Sequence, residues 1–209
     1  MLLIAPRWFF GFDSLMEFIA FAIAIAVAYQ ALKGYRLSKE RTLLYLNISF
    51  ALLGAGLLID GFSSIILLLA RSQRTFLVVS AIGYTINFIA QVLAYGLLVI
   101  AYVQQARRGG IPMAMAALPA FLLFEHNAVT ELILIFLLAY ISMQTAMNYS
   151  VSKTTNALLV FGGFASLTIA HLFFLLFTLA PVFFPFAHIA QLFGFLLLLA
   201  MLLRVNQPP

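Results

Sequence analysis

Residues 42–70 read "TLLYLNISFALLGAGLLIDGFSSIILLLA". The stretch holds one charged residue, Asp60, and no proline. A helix needs about 20 predominantly apolar residues to cross a hydrocarbon core about 30 Å thick, and this run is longer than that. It does not alternate polar and apolar residues, as a membrane β-strand would. It therefore reads as a transmembrane helix, and the rest of the chain shares its character. Of 209 residues, 65% are hydrophobic and only 8% charged, whereas about a quarter of an ordinary soluble domain is charged. The mean hydropathy is +1.13. Such a chain has too few polar groups to cover a water-facing surface. An all-α, multi-pass integral membrane protein of the cell membrane is expected, with the lipid bilayer as its first partner.

Working outward, apolar runs separated by polar breaks predict seven spans, at about 14–34, 42–70, 75–104, 111–124, 128–148, 154–180 and 184–204. The fourth is short and carries Pro112 and Pro119, so it reads as a short linker helix or an irregular segment. The whole chain, 1–209, is read as a single membrane domain. Lys33, Arg36, Lys39, Arg41, Arg107, Arg108, Lys153 and Arg204 fall on one side of this arrangement, and Arg7, Arg71 and Arg74 on the other. The excess of positive charge marks the cytoplasmic side, so the N-terminus is expected outside and the C-terminus inside. The formal net charge of +5 is explained by orientation, and no nucleic-acid partner is implied. The start, "MLLIAPRWFFGFD", lacks a basic segment ahead of a long apolar core, so no cleavable signal peptide is expected. With no cysteine in the chain, disulfides, thiolate metal sites and cysteine nucleophiles are excluded.

The chain also matches itself. Laying Glu17 on Glu131 places Tyr35 on Tyr149, Ser38 on Ser152 and Lys39 on Lys153 without a gap. "YRLSK" thus answers "YSVSK" at the same predicted turn. A shorter offset lays Ile89-Ala90-Gln91 on Ile189-Ala190-Gln191. Acidic residues and lysines are scarce here, so their joint registration is informative. It predicts two parallel three-helix repeats, about 14–104 and 128–204, joined by a linker helix at about 111–124. Parallel repeats are a recurrent transporter design.

This 3+1+3 arrangement, with the N-terminus outside, resembles the SWEET sugar transporters across the whole chain at the level of topology. "RTLLYLNISFALLGAGLL" and "AQLFGFLLLLAMLLRV" also look like the seven-helix membrane domains of microbial sensors. The first resemblance implies a transporter and the second a sensing subunit. Neither carries over a functional residue.

Ionisable groups inside a membrane are costly and point to function. With this orientation, Glu17, Asp60, Asn87, Gln91, Glu131, His171, His188 and Gln191 all fall in the outer half, below an outer loop holding Glu125 and His126. An outward-facing polar vestibule is expected, closed below by packed Leu, Phe and Ala and binding a small molecule or an ion. Asp60 and His171 are the expected switching pair of a proton- or cation-linked process, since carboxylates shielded from water and histidines change charge near neutrality. Glu17 and Glu131 also suit helix starts, and the glutamines also suit bonds between helices. Paired haem ligation by His171 and His188 is disfavoured by an expected depth difference of about 9 Å at 1.5 Å per residue. Zinc ligation would draw on His126, His171, His188, Asp60 and Glu131, none of which pair at helical spacing. No lysine sits mid-span to hold retinal, and no cofactor is predicted. The expected function is a small transporter or permease-like protein. The alternative is a ligand-sensing or accessory subunit acting through a protein partner or as a homo-oligomer.

Overall fold

In a computed structural model, residues 7–70, 72–108 and 128–206 form six helices: α1 (Arg7–Ser38), α2 (Arg41–Leu69), α3 (Gln73–Arg108), α4 (Ala128–Ser152), α5 (Thr155–Leu176) and α6 (Phe183–Val205). All six are long and apolar enough to cross a bilayer. The chain is an all-α, multi-pass membrane protein. The expected span at 111–124, with Glu125 and His126, lies outside the described residues.

Most helices run past the predicted spans. α1 has 32 residues, about 48 Å at 1.5 Å per residue, well beyond the hydrocarbon thickness. Apolar composition marks only the lipid-embedded part, while backbone hydrogen bonding continues into the headgroup region. α2 matches its predicted length, and α5 falls short of it. It stops at Leu176 rather than 180, because Thr178, Leu179 and Ala180 turn back onto the carbonyls of Leu175 and Leu176. This shortening raises His171 towards the helix end.

Two hairpins share an unusual corner. Lys39 and Lys153 adopt left-handed backbone conformations, with φ of 58° and 52°. That region normally selects glycine or asparagine after a helix. Each lysine N–H donates to a tyrosine carbonyl one turn back, Lys39 to Tyr35 at 2.8 Å and Lys153 to Tyr149 at 2.9 Å. Each ammonium then folds over that same tyrosine ring, at 6.0 Å and 5.3 Å from the centroid. The cation–ring attraction offsets part of the backbone cost. Tyr-x-x-Ser-Lys is therefore a corner motif, with the ring as the lysine's seat.

Backbones approach closely only between consecutive helices and between α1 and α6, so the six helices close a ring. Within it, α1–α3 and α4–α6 form two groups that meet at two seams, α1·α6 and α3·α4. Across the axis only side chains meet, as in the Phe50–Phe195 and Tyr102–Phe164 ring contacts. Phe50, Leu53, Leu138, Phe164, Leu167 and Leu198 fill this interior. Ile66, Leu93, Phe136 and Phe193 point outward, where lipid is their solvent. Arg108 ends α3 at the end of the bundle that holds Lys39 and Lys153, whereas Ala128 begins α4 at the opposite end.

Candidate functional site

Glycine positions the first part of the site. A Cβ at Gly56 would lie 2.8 Å from both the Ala90 Cβ and the Asn87 Oδ1. Only glycine lets α2 and α3 approach this closely, and Asp60 lies one turn further along α2. Asn87 then donates from Nδ2 to Asp60 Oδ2 at 2.7 Å, and Gln91 donates to Asn87 Oδ1 at 3.2 Å. A half-buried acid thus receives a neutral donor chain from the neighbouring helix.

The second part joins α3, α4 and α5. His171 Nδ1 lies 2.9 Å from Glu131 Oε2, and its Nε2 lies 3.4 Å from the Tyr95 hydroxyl. Both ring nitrogens are therefore occupied. Tyr84 and Thr130 share a hydroxyl–hydroxyl hydrogen bond at the same seam.

The third part bridges α1 and α6. Asp13 and Glu17 lie at i,i+4 spacing and so on one face of α1. His188 of α6 presents Nε2 to Asp13 Oδ1 at 3.2 Å and Nδ1 to Glu17 Oε1 at 3.8 Å. The Asp13 carboxylate approaches Nε2 away from the ring N–H direction, so the contact is electrostatic and Nε2 makes no hydrogen bond. Glu17 Oε2 and Gln191 Oε1 are also buried without a hydrogen-bond partner. Ser64 donates to the other Asp13 oxygen at 2.6 Å. The rings of Phe184, Phe174 and Phe12 enclose His188, with centroids 4.5, 5.1 and 6.0 Å away.

All eight expected residues lie towards one end of the bundle, divided among these three groups. Asp60 and His171 do not pair with each other. Asp60 takes Asn87, and His171 takes Glu131, because α2 faces α3 while α5 faces α4. Gln91 and Gln191 differ as well: one is bonded to Asn87, and the other has an unpartnered oxygen. The expected depth gap between His171 and His188 closes because α5 ends early, and both rings pack on Phe174. Their nitrogens face carboxylates and the Tyr95 hydroxyl rather than each other, so the pair does not form a haem site. Asp13 was not among the expected residues. Its signal was the i,i+4 spacing to Glu17, hidden because the predicted span began at residue 14.

A cavity of about 200 Å³ lies at the opposite end, lined by Thr42, Tyr102, Gln105, Thr145, Asn148 and Phe164 among others. The half expected to be packed with Leu, Phe and Ala therefore holds a cavity, while side chains of the acid–histidine layer contact one another. Four of the chain's six acidic residues, Asp13, Glu17, Asp60 and Glu131, lie in the layer. Their ion-pair partners among the described residues are histidines, with no Lys or Arg. Carboxylates outnumber histidines, which suits the layer to holding protons or a cation. No protein-family model, no curated protein and no solved structure matches this chain.

Proposed function

We propose that this protein is a small proton- or cation-linked membrane carrier, built from two parallel three-helix repeats with its basic end in the cytoplasm. One observation carries the reading: each seam between the two groups is bridged by a histidine that also contacts a carboxylate. At one seam His188 meets Asp13 and Glu17; at the other Tyr95 of the first group reaches His171, which Glu131 holds. A change of charge at either place alters how tightly the groups hold each other, while the cavity at the cytoplasmic end supplies space for a small solute. The duplication is supported by positions the repeat equates. Ala20 and Leu134, Ala24 and Leu138, Val27 and Ile141, Phe50 and Phe164, and Leu53 and Leu167 are all buried pairs, and the two lysine corners share one conformation.

The test is electrical. The protein is reconstituted on a solid-supported membrane and given proton, Na⁺, K⁺ and Zn²⁺ jumps between about pH 5 and 8, where histidine changes charge. Currents above those of protein-free liposomes are expected. Asp60→Asn and His171→Ala should each lower them about tenfold, the scale of a coupling near 1.4 kcal/mol. Currents equal to the protein-free control for every ion refute the carrier reading. A second reading, a sensing or accessory subunit with a protein partner, is supported by the contacts the layer's groups make with one another. It predicts no current but a pH- or ion-dependent change in Trp8 or tyrosine fluorescence.

A further inference from the structure

We infer that Asp13, Glu17 and His188 form a binding site for a divalent transition-metal cation of the Zn²⁺ class. Three features carry this. First, the donors converge: one ligand atom from each residue lies within 4.8 Å of the other two. Ligands of a single zinc ion bind at about 2.0–2.2 Å, so they stand about 3–4 Å apart. Small side-chain rotations close the difference.

Second, two of the three residues have a buried ligand atom without a hydrogen bond, close to the third. Glu17 is 4% exposed with Oε2 unbonded, and His188 is 1% exposed with Nε2 unbonded. A buried polar atom without a partner is costly in any apolar medium, and a cation satisfies both. Ser64 holds the far oxygen of Asp13 and leaves Oδ1 directed at His188. Partners of this kind orient ligands in metal sites. His171 differs, because Glu131 and Tyr95 occupy both its nitrogens.

Third, charge and donor type select the ion. Asp60 adds its field to those of Asp13 and Glu17, and among the described residues the counter-charge in ion-pair contact with them is His188. A divalent ion balances two carboxylates. An imidazole with two carboxylates suits Zn²⁺, Co²⁺ or Mn²⁺, whereas Ca²⁺ and Mg²⁺ need six or more oxygen ligands or retained waters. The Phe12, Phe174 and Phe184 rings keep the site dry. As the cation of the carrier, this assignment rests on the reading above; as a binding site, it stands by itself.

The full-length protein is purified in detergent, stripped with a chelator and titrated with Zn²⁺ by calorimetry. Co²⁺ is followed separately by its visible absorption. One equivalent of Zn²⁺ should bind, and Co²⁺ should give the bands of a nitrogen–oxygen site. Even partners of ligands are worth about 10–100-fold in affinity. Asp13→Asn, Glu17→Gln and His188→Gln should therefore each weaken binding by about a hundredfold or more, while Glu40→Gln leaves it unchanged. Asp13→Asn, at the most accessible of the three, serves where His188→Gln fails to fold. The site is overturned by absence of Zn²⁺ binding to the wild type, which leaves an imidazolium–carboxylate cluster alone. It is equally overturned by binding that survives Asp13→Asn and Glu17→Gln but is lost in His171→Gln. These readouts involve no flux, so they fail independently of the carrier reading.

Discussion

Lys39 and Lys153 hold a backbone conformation that costs a residue with a Cβ about 1–2 kcal/mol. The cost is greatest for β-branched side chains, whose extra branch meets the preceding carbonyl. Lys39→Val should lower stability by about 1–2 kcal/mol, read as a fall in the unfolding midpoint in mixed micelles. Lys39→Gly should be near neutral, since relief of the backbone offsets loss of the Tyr35 contact. At this scale the sequence was informative in part. The recurrence of Tyr, Ser and Lys was visible, but the left-handed corner that gives it meaning was not. Glu17, Glu131, His171 and His188 could be chosen from the cost of burying them. Which acid meets which histidine could not, because that depends on helix neighbours, and Asp13 lay just outside the apolar run used to define its span.

At the scale of the element, α5 and α6 pack through glycine. A Cβ on Gly194 would lie 2.8 Å from the Gly163 carbonyl oxygen, and one on Gly163 would lie 2.7 Å from Leu198 Cγ. Between helices in lipid there is no hydrophobic drive, so close packing of small residues supplies the association. Gly194→Ala meets backbone, which cannot rotate away, and should cost about 1–3 kcal/mol. Gly163→Ala meets the Leu198 side chain first and backbone, the Gly194 carbonyl oxygen, only at 3.2 Å, and should cost less. Unfolding of both variants in mixed micelles orders the two. Apolar runs located all six described helices, because lipid demands continuous apolar length from each. They missed the true ends of α1 and α3, which continue into the headgroups, and the early stop of α5, which is set by its own turn.

For the whole molecule, the ring makes a demand that no single helix reveals. Asn206, just after α6, donates to the Gln30 carbonyl of α1 at 2.9 Å, which fastens the first helix to the last at the basic end. The chain has no cysteine, so a pair placed at Gln30 and Asn206 is read without background. It should cross-link within one molecule, seen as faster migration on a gel; cross-linking only between molecules would contradict the ring. Single cysteines at Lys39 and Lys153 should resist impermeant labels added outside intact cells, and one at Thr178 should react. The opposite pattern reverses the orientation. Neither the ring nor its seams could be read from composition, since apolar length says that a helix spans but not which helices touch. The ring also imposes an order in time. The Glu131–His171 contact lies within one hairpin and can form as soon as α5 enters the membrane. Asp13 and Glu17, by contrast, are made first and His188 last, so their cluster waits for the final helix to leave the ribosome. A chain stalled before α6 would carry two unmatched carboxylates in lipid, a defect that membrane quality control can recognise.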